Sequence, residues 1–488
     1  MPNSPNIVLI VMDTARSDFV DTAVNGREVT PFLSGLAERG GKFSEAYSAS
    51  PWTLPSHASL FTGTYPSKHG AHAESKHLRD DIQTLAGTLS ENGYETFGIS
   101  NNIWVSDNFG FEAGFDTFVR NWQLLQFDND VGGVGLTNQG RDKWFAVART
   151  LIQGNPVANA VNAAYTKFRY SNYSPDDGAG RTNKRAEGLL SDHDGDDPFF
   201  LFINYLEPHL EYRPPKRFAE RFLPEGVSYR EANEVEQNAW KYVTEQAEIS
   251  DSEFEILRAL YAAETAYLDQ RIGELAETIR ERDEETVFVV VGDHGENLGD
   301  HGLMDHQYCL YDTLLHVPFV VGGGPFTDHG TDDRLVQLPD VAPTLLDVAG
   351  VEAPSFRSQS QGQSVLSPEF DRDTVIAEYL SPMPSRDAIE KRVGDPHDVI
   401  DSYLRSLRCI RRDGYKLVVG SDGEKELYDV ESDPREQTDL SSERPKEVTR
   451  LETELDEWLD SFEQPDGVDT GEINDGVKDT LEQLGYIQ

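Results

Sequence analysis

The chain has little cysteine, little positive charge and no long apolar run, and each shortage closes off a class of protein. Two cysteines in 488 residues, Cys309 and Cys409, are too few for a disulfide framework or a cysteine-based metal centre. They leave room for one bridge between them. No apolar stretch approaches the roughly 20 residues that span a bilayer, so no membrane anchor is expected. Met1–Asn6 carries no basic residue, and the apolar run behind it is too short for a signal peptide. The expectation is a soluble cytoplasmic protein.

Lys and Arg number 43 against 87 Asp and Glu, a formal net charge of -44. Such a surface repels nucleic acid and anionic membrane, so neither is expected as a partner. The acid is spread along the chain and forms no single block, which reads as adaptation to high salt, where counterions screen self-repulsion. Stability and activity are then expected to rise from low to molar KCl. A series of thermal melts in KCl checks this, and a flat or falling melting temperature contradicts it.

What the chain does have is an alternation of strand and helix patterns. Ile7 to Met12 is a continuous apolar run, as a strand buried on both faces requires. Helical spacing follows from Pro31 to Arg39 and from Ile82 to Asn92, and Tyr94 to Ser100 reads as a strand. Phe199 to Tyr205 and Thr286 to Val291 are further buried strands, separated by a long helix over about 251–281. This predicts an α/β domain over 1–350 with a mainly parallel central sheet flanked by helices. Residues 121–197 read as an insertion, with a helical fragment at Trp144 to Ile152. A Pro-, Ser-, Gln- and Gly-rich stretch at 351–372 reads as a connector. Residues 373–488 are expected to form a small antiparallel sheet with a C-terminal helix.

One stretch is placed for chemistry. Pro51 to Gly63 reads as a loop turning into a short helix, with Pro55 in the first turn and Gly63 at the exit. Thr53 then sits at a helix N-terminus, where free N–H groups and the dipole favour an anion. Ser56 and His57 are expected one step inside, within reach of the same anion. Asp13, His209 and the pair Asp293-His294 all follow buried strands, at the sheet edge where sites form. Two carboxylates, a hydroxyl and an imidazole suit a divalent cation.

The order of motifs resembles the sulfatase family, within the alkaline phosphatase-like superfamily. Val8 to Asp18 opens the series. Thr53-Leu54-Pro55-Ser56-His57 through Thr62-Gly63 matches the family's C/S-x-P-S-R-x-x-x-x-T-G. Gly110 to Asp116, Pro208-His209, Asp293-His294-Gly295-Glu296, Gly299 to Gly302 and His316-Val317-Pro318 follow, with Gly414 to Leu417 near the end. The resemblance implies one divalent ion (Ca, Mn, Mg or Zn) held by Asp13, Thr53, Asp293 and His294, with Thr53 as nucleophile. It implies His209 at the leaving group and His306 against the anionic group. Asn101 or Asn102 stands where a Lys-x-His element often lies, and Asn101 is taken as the substrate contact.

Three departures matter. Threonine at 53 cannot form the formylglycine that typical sulfatases make from Cys or Ser. His57 replaces the motif's arginine, and Thr14 a common second aspartate. The set resembles instead the metal-bound threonine site of superfamily phosphodiesterases and phosphoglycerol transferases. The expected function is a metal-dependent hydrolase of an anionic ester, sulfate or phosphate in type. A transferase using the same Thr53 intermediate and a non-catalytic binding protein are the rival readings.

Overall fold

The computed structural model describes residues 4–126, 157, 161–162, 178–193, 197–282, 285–394, 396 and 398–464. An eight-stranded sheet forms its centre. In chain order the strands are β1 (Ile7–Met12), β2 (Gly41–Tyr47), β3 (Glu95–Ser100), β4 (Thr117–Arg120), β5 (Phe199–Tyr205), β6 (Val287–Gly292), β7 (Phe319–Gly322) and β8 (Gly330–Gln337). Across the sheet they run β8-β2-β7-β6-β1-β5-β3-β4. Strand β7 is antiparallel to both its neighbours and every other pairing is parallel, so the mainly parallel α/β expectation holds.

The period of two along β1 divides the core. Ile7, Leu9 and Val11 face one apolar layer, while Val8, Ile10 and Met12 face the other. On the first side lies α2 (Thr53–Thr62), all ten of its residues buried. The second side is covered by α1 (Pro31–Arg39), α3 (Ala179–Asp192) and α4 (Asp251–Arg282). Because β1 is flanked by β5 on one side and β6 on the other, the chain segments leaving all three strands meet above β1. That is the switch point where an open α/β sheet leaves a crevice.

The second sheet has four antiparallel strands, β9 (Thr374–Tyr379), β10 (Leu407–Arg412), β11 (Tyr415–Gly420) and β12 (Lys425–Asp429), with α5 (Pro445–Leu459) packed on it. A buried charge cluster ties it to the short helix Asp312–Leu315 that precedes β7. Lys416 Nζ lies 2.6 Å from Asp312 Oδ1 and 2.6 Å from Glu436 Oε1, and Asp312 N donates to Glu436 at 2.7 Å. The stretch read as a connector is structured: Pro354–Gln359 is helical, and the Gln361 and Gly362 N–H groups both donate to Gly63 O. The helical fragment expected at Trp144 to Ile152 lies outside the described residues. Cys309 and Cys409 are both buried and unbridged. Among the described residues no helix is long and apolar enough to cross a membrane.

His69 couples this core to pH. Its Nδ1 accepts from Ala71 N at 3.0 Å, so Nε2 carries the proton and meets Ser59 Oγ at 3.1 Å. Burial, with help from His72, pushes its pKa down to about 3. The unfolded chain therefore takes up a proton near pH 6.5 that the folded chain refuses. The contribution of His69 to stability is level above that pH and falls as pH drops toward 3, by roughly 2 kcal/mol at pH 5. Urea melts of wild type and His69→Gln at pH 7 and pH 5 check this. The variant is expected to lose about 2 kcal/mol less between the two, and equal losses contradict it.

Candidate active site

Asp13 leaves the end of β1 and Asp293 the end of β6, so two carboxylates converge where the parallel strands stop. Asp13 N is fixed by Tyr205 O at 3.1 Å, and Tyr261 braces the next turn by donating to Thr14 O at 2.7 Å. Asp293 Oδ1 accepts from Thr14 N at 3.1 Å and from His294 N at 2.8 Å. Gly295 permits the chain to turn here: a Cβ on it would lie 2.0 Å from Thr313 O. Its N–H instead donates to Leu314 O at 2.7 Å.

The third wall is the start of α2. Thr53 is its first residue, and Ser56 Oγ donates to Asp293 O at 2.6 Å, tying helix to strand. At the far end Gly63 adopts φ +66° and donates to Ser59 O, closing the helix in the left-handed conformation glycine favours. Thr53 Oγ1 then lies 3.3 Å from His294 Nε2 and 3.4 Å from Asn102 Nδ2.

The protonation of His294 follows from its partners. Nδ1 faces Gly295 O at 3.0 Å, and a carbonyl only accepts, so Nδ1 carries the proton. Nε2 is left as a bare acceptor, 3.4 Å from Asp293 Oδ2. Asp293 Oδ2 and Asp13 Oδ1 are buried and have no hydrogen-bond partner. The ligand atoms of Asp13, Asp293 and His294 all fall within 4.8 Å of one another. Acceptors facing one another with no donor between them is a costly arrangement that a divalent cation resolves. Burial and the neighbouring Asp13 raise Asp293 well above the usual carboxylate range. Burial, reinforced by His306, holds His294 well below its ordinary value. The four groups Asp13, Thr53, Asp293 and His294 therefore fit a bound divalent ion, with Nδ1–H of His294 anchored from behind.

Three sequence expectations change. Ser56 does not face an anion, since its hydroxyl is spent on Asp293 O. His57 lies one helical turn beyond Thr53, deeper in the protein. It is fully buried between Phe111 and Phe202, with Nδ1 donating to Thr53 O at 2.9 Å, and burial lowers its pKa to about 4. It braces Thr53 from below as a neutral ring. Asn101 turns away as well: its Nδ2 donates to Thr182 Oγ1 and Asn204 O, and its Oδ1 accepts from Asn121. Asn102 takes its place, with Nδ2 2.7 Å from Asp13 Oδ2. Successive residues leaving a strand point to opposite sides, so one position decides which asparagine reaches the site.

The remaining histidines line the opening. His209 is half-buried, with Nδ1 2.6 Å from Leu210 O, and its ring lies 5.3 Å from that of His306. His306 is buried, its ring 4.6 Å from that of His294. Burial opposes a charge on His306, yet Asp305 and Glu296 raise its pKa well above the ordinary value. Glu296 and Asp305 were not assigned from sequence. The signal in the sequence is the position of Glu296 two residues after His294, in Asp293-His294-Gly295-Glu296.

Comparison with known proteins decides the family. A family model described as Sulfatase matches residues 5–351. The chain belongs to the sulfatase family. An arylsulfatase of Clostridium perfringens is 27% identical over 469 residues, covering 91% of this chain and 92% of that protein. A choline-sulfatase of Rhizobium meliloti is 24% identical over 464 residues, covering 91% and 83%. The fold is shared with the phosphonate monoester hydrolase of Agrobacterium radiobacter at a TM-score of 0.65 and 19% identity, over 94% of this chain and 95% of that one. A 2-O GAG sulfatase superposes equally well, at TM-score 0.65 and 18% identity over 94% and 92%. This chain is thus a sulfatase-family hydrolase. Enzymes of the family typically use a divalent metal, which the donor set above accommodates.

Proposed function

We propose that the protein is a metal-dependent ester hydrolase in which Thr53 is the nucleophile, and that phosphodiesters or phosphonate esters are better substrates than aryl sulfates. The observation that carries this reading is the Thr53 hydroxyl, set at the open end of α2 and 3.3 Å from His294 Nε2. A divalent ion held by Asp13, Asp293, His294 and Thr53 would lower the pKa of that hydroxyl and supply a counter-charge to the anionic ester. The first turn of α2 offers N–H groups without partners inside the helix, and His306 offers Nε2, so developing negative charge is met from two sides. Asn102 orients Asp13 and reaches toward Thr53.

Threonine is what separates the ester classes. Its intermediate is a plain ester, which a second attack by water must resolve. At phosphorus that attack is practicable, whereas an alkyl sulfate on Thr53 is slow to clear. The second reading is direct hydrolysis of a sulfate ester with Thr53 acting as a ligand, and it is favoured by the arylsulfatase among the relatives. The test is a panel of aryl sulfate, phosphate monoester, phosphodiester and phosphonate substrates, each run with Ca²⁺, Mn²⁺, Mg²⁺ and Zn²⁺ in high salt. The first reading expects phosphodiester or phosphonate to lead in kcat/KM, and a clear lead for aryl sulfate favours the second.

His209 is assigned the leaving group's proton. With Nδ1–H held by Leu210 O, Nε2 is the atom that delivers it, from the doubly protonated ring, and is left as a bare acceptor afterwards. His209→Ala is expected to slow alkyl esters by on the order of 10²–10⁴-fold, and activated aryl esters far less. Equal losses on both would make His209 a positioning residue.

A further inference from the structure

We propose that Glu296, Asp305 and His306 form a second cation site, suited to a divalent transition ion such as Zn²⁺ or Mn²⁺, beside the Asp13–Asp293–His294 site. The proposal stands on resting geometry and does not depend on which ester is cleaved.

Glu296 is fully buried, and neither of its carboxylate oxygens makes a hydrogen bond of good geometry. His306 is 2% exposed. Its Nδ1 lies 2.8 Å from Asp305 Oδ1 and 3.5 Å from Glu296 Oε1, and neither contact is directed as a hydrogen bond. The ligand atoms of the three side chains lie within 4.8 Å of one another. Two buried tyrosines whose surroundings include Glu296, Tyr212 and Tyr308, likewise have hydroxyls without a hydrogen bond of good geometry. Five buried polar atoms, from four side chains in one place, lack a hydrogen bond of good geometry, although Tyr212 and His306 both approach Glu296.

Charge counting points to what that ligand is. Among the described residues, the only ion-pair partner of Glu296 or Asp305 is His306. Arg16, the nearest guanidinium to make a contact here, donates to the Glu296 carbonyl at 2.9 Å and spends its charge on Asp18 and Asp300. A proton on Nδ1 gives one positive charge for two carboxylates, and one N–H for oxygens in two directions. A divalent ion in the same place balances both carboxylates and takes all three donors at once. The loop is bent to bring the donors together, with Asp305 at φ +74° and Gln307 at φ +92° on either side of His306. Such conformations are uncommon for residues other than glycine and cluster at functional sites. Two carboxylate oxygens and one imidazole nitrogen favour Zn²⁺ or Mn²⁺ over Ca²⁺, which prefers an all-oxygen shell. Ligation through Nδ1 leaves His306 Nε2 free for the ester, so the second site would also fix the ring that meets the substrate's charge.

The experiment is a metal count on the full chain without substrate. Protein stripped by chelation is titrated with Zn²⁺, and separately with Mn²⁺, followed by desalting and elemental analysis. Wild type is expected to retain two ions per chain, Glu296→Gln one, and Asp293→Asn one. Circular dichroism establishes that each variant is folded, and Asp305→Asn replaces Glu296→Gln if that variant is not. A single ion in wild type at saturating metal overturns the proposal and leaves an imidazolium as the internal cation. Two ions retained by folded Glu296→Gln and Asp305→Asn overturn it as well, by placing the second ion elsewhere.

Discussion

Thr53→Ala is expected to lower kcat/KM for phosphodiester and phosphonate substrates by roughly 10⁴-fold or more, the scale at which loss of a nucleophile leaves only binding and electrostatic stabilisation. Thr53→Ser keeps a hydroxyl at the same helix position and is expected to stay within about tenfold of wild type. The two variants separate chemistry from packing. Thr53 is buried, and both substitutions remove its methyl group, but only one removes the oxygen 3.3 Å from His294 Nε2. Steady-state kinetics on one alkyl phosphonate ester decides the matter. Comparable losses in both variants would mean that the methyl, and not the hydroxyl, matters.

Asp293→Asn is expected to abolish both ion retention at its site and activity, while the metal-free protein keeps or gains stability. Asparagine can still accept from Thr14 N and His294 N through its remaining carbonyl oxygen, so the turn after β6 keeps its hydrogen bonds. What disappears is the repulsion between two buried carboxylates, Asp13 and Asp293. Added metal should raise the melting point of wild type, since an ion at about a thousand times its Kd contributes about 4 kcal/mol. Through this site the variant should gain nothing. A variant that loses its fold, or that keeps wild-type activity after chelation, contradicts the assignment.

The legible part of the molecule was the part buried on both sides. Strands β1 and β6 are uninterrupted apolar runs, and β5 is broken only by Asn204, because layers cover both faces, so the polar residues that follow them could only be at the sheet edge. Helix α2 was legible from Pro55 and Gly63, which mark its two ends. Strand β8 was not, since Gly330–Gln337 is an edge strand with a mostly exposed, polar sequence and pairs only β2. Within the site, residue type was readable and direction was not. Asn101 and Asn102 are chemically identical, and only the geometry leaving β3 sends the second to Asp13. Ser56 and His57 share a motif with Thr53, but the helix turns them toward the Asp293 carbonyl and the aromatic core. The Glu296–Asp305–His306 cluster was hidden for a related reason. It closes only because Asp305 and Gln307 take left-handed backbone conformations that their identities do not announce.

Intact-protein mass spectrometry on quenched turnover mixtures tests the central claim most directly. With a phosphodiester or phosphonate substrate, wild type is expected to carry a covalent phosphoryl- or phosphonyl-type adduct that maps to Thr53 and is missing from Thr53→Ala. An enzyme that turns over aryl sulfate many times, faster than any phosphorus ester and without an adduct on Thr53, would contradict the nucleophile assignment and leave Thr53 as a metal ligand alone.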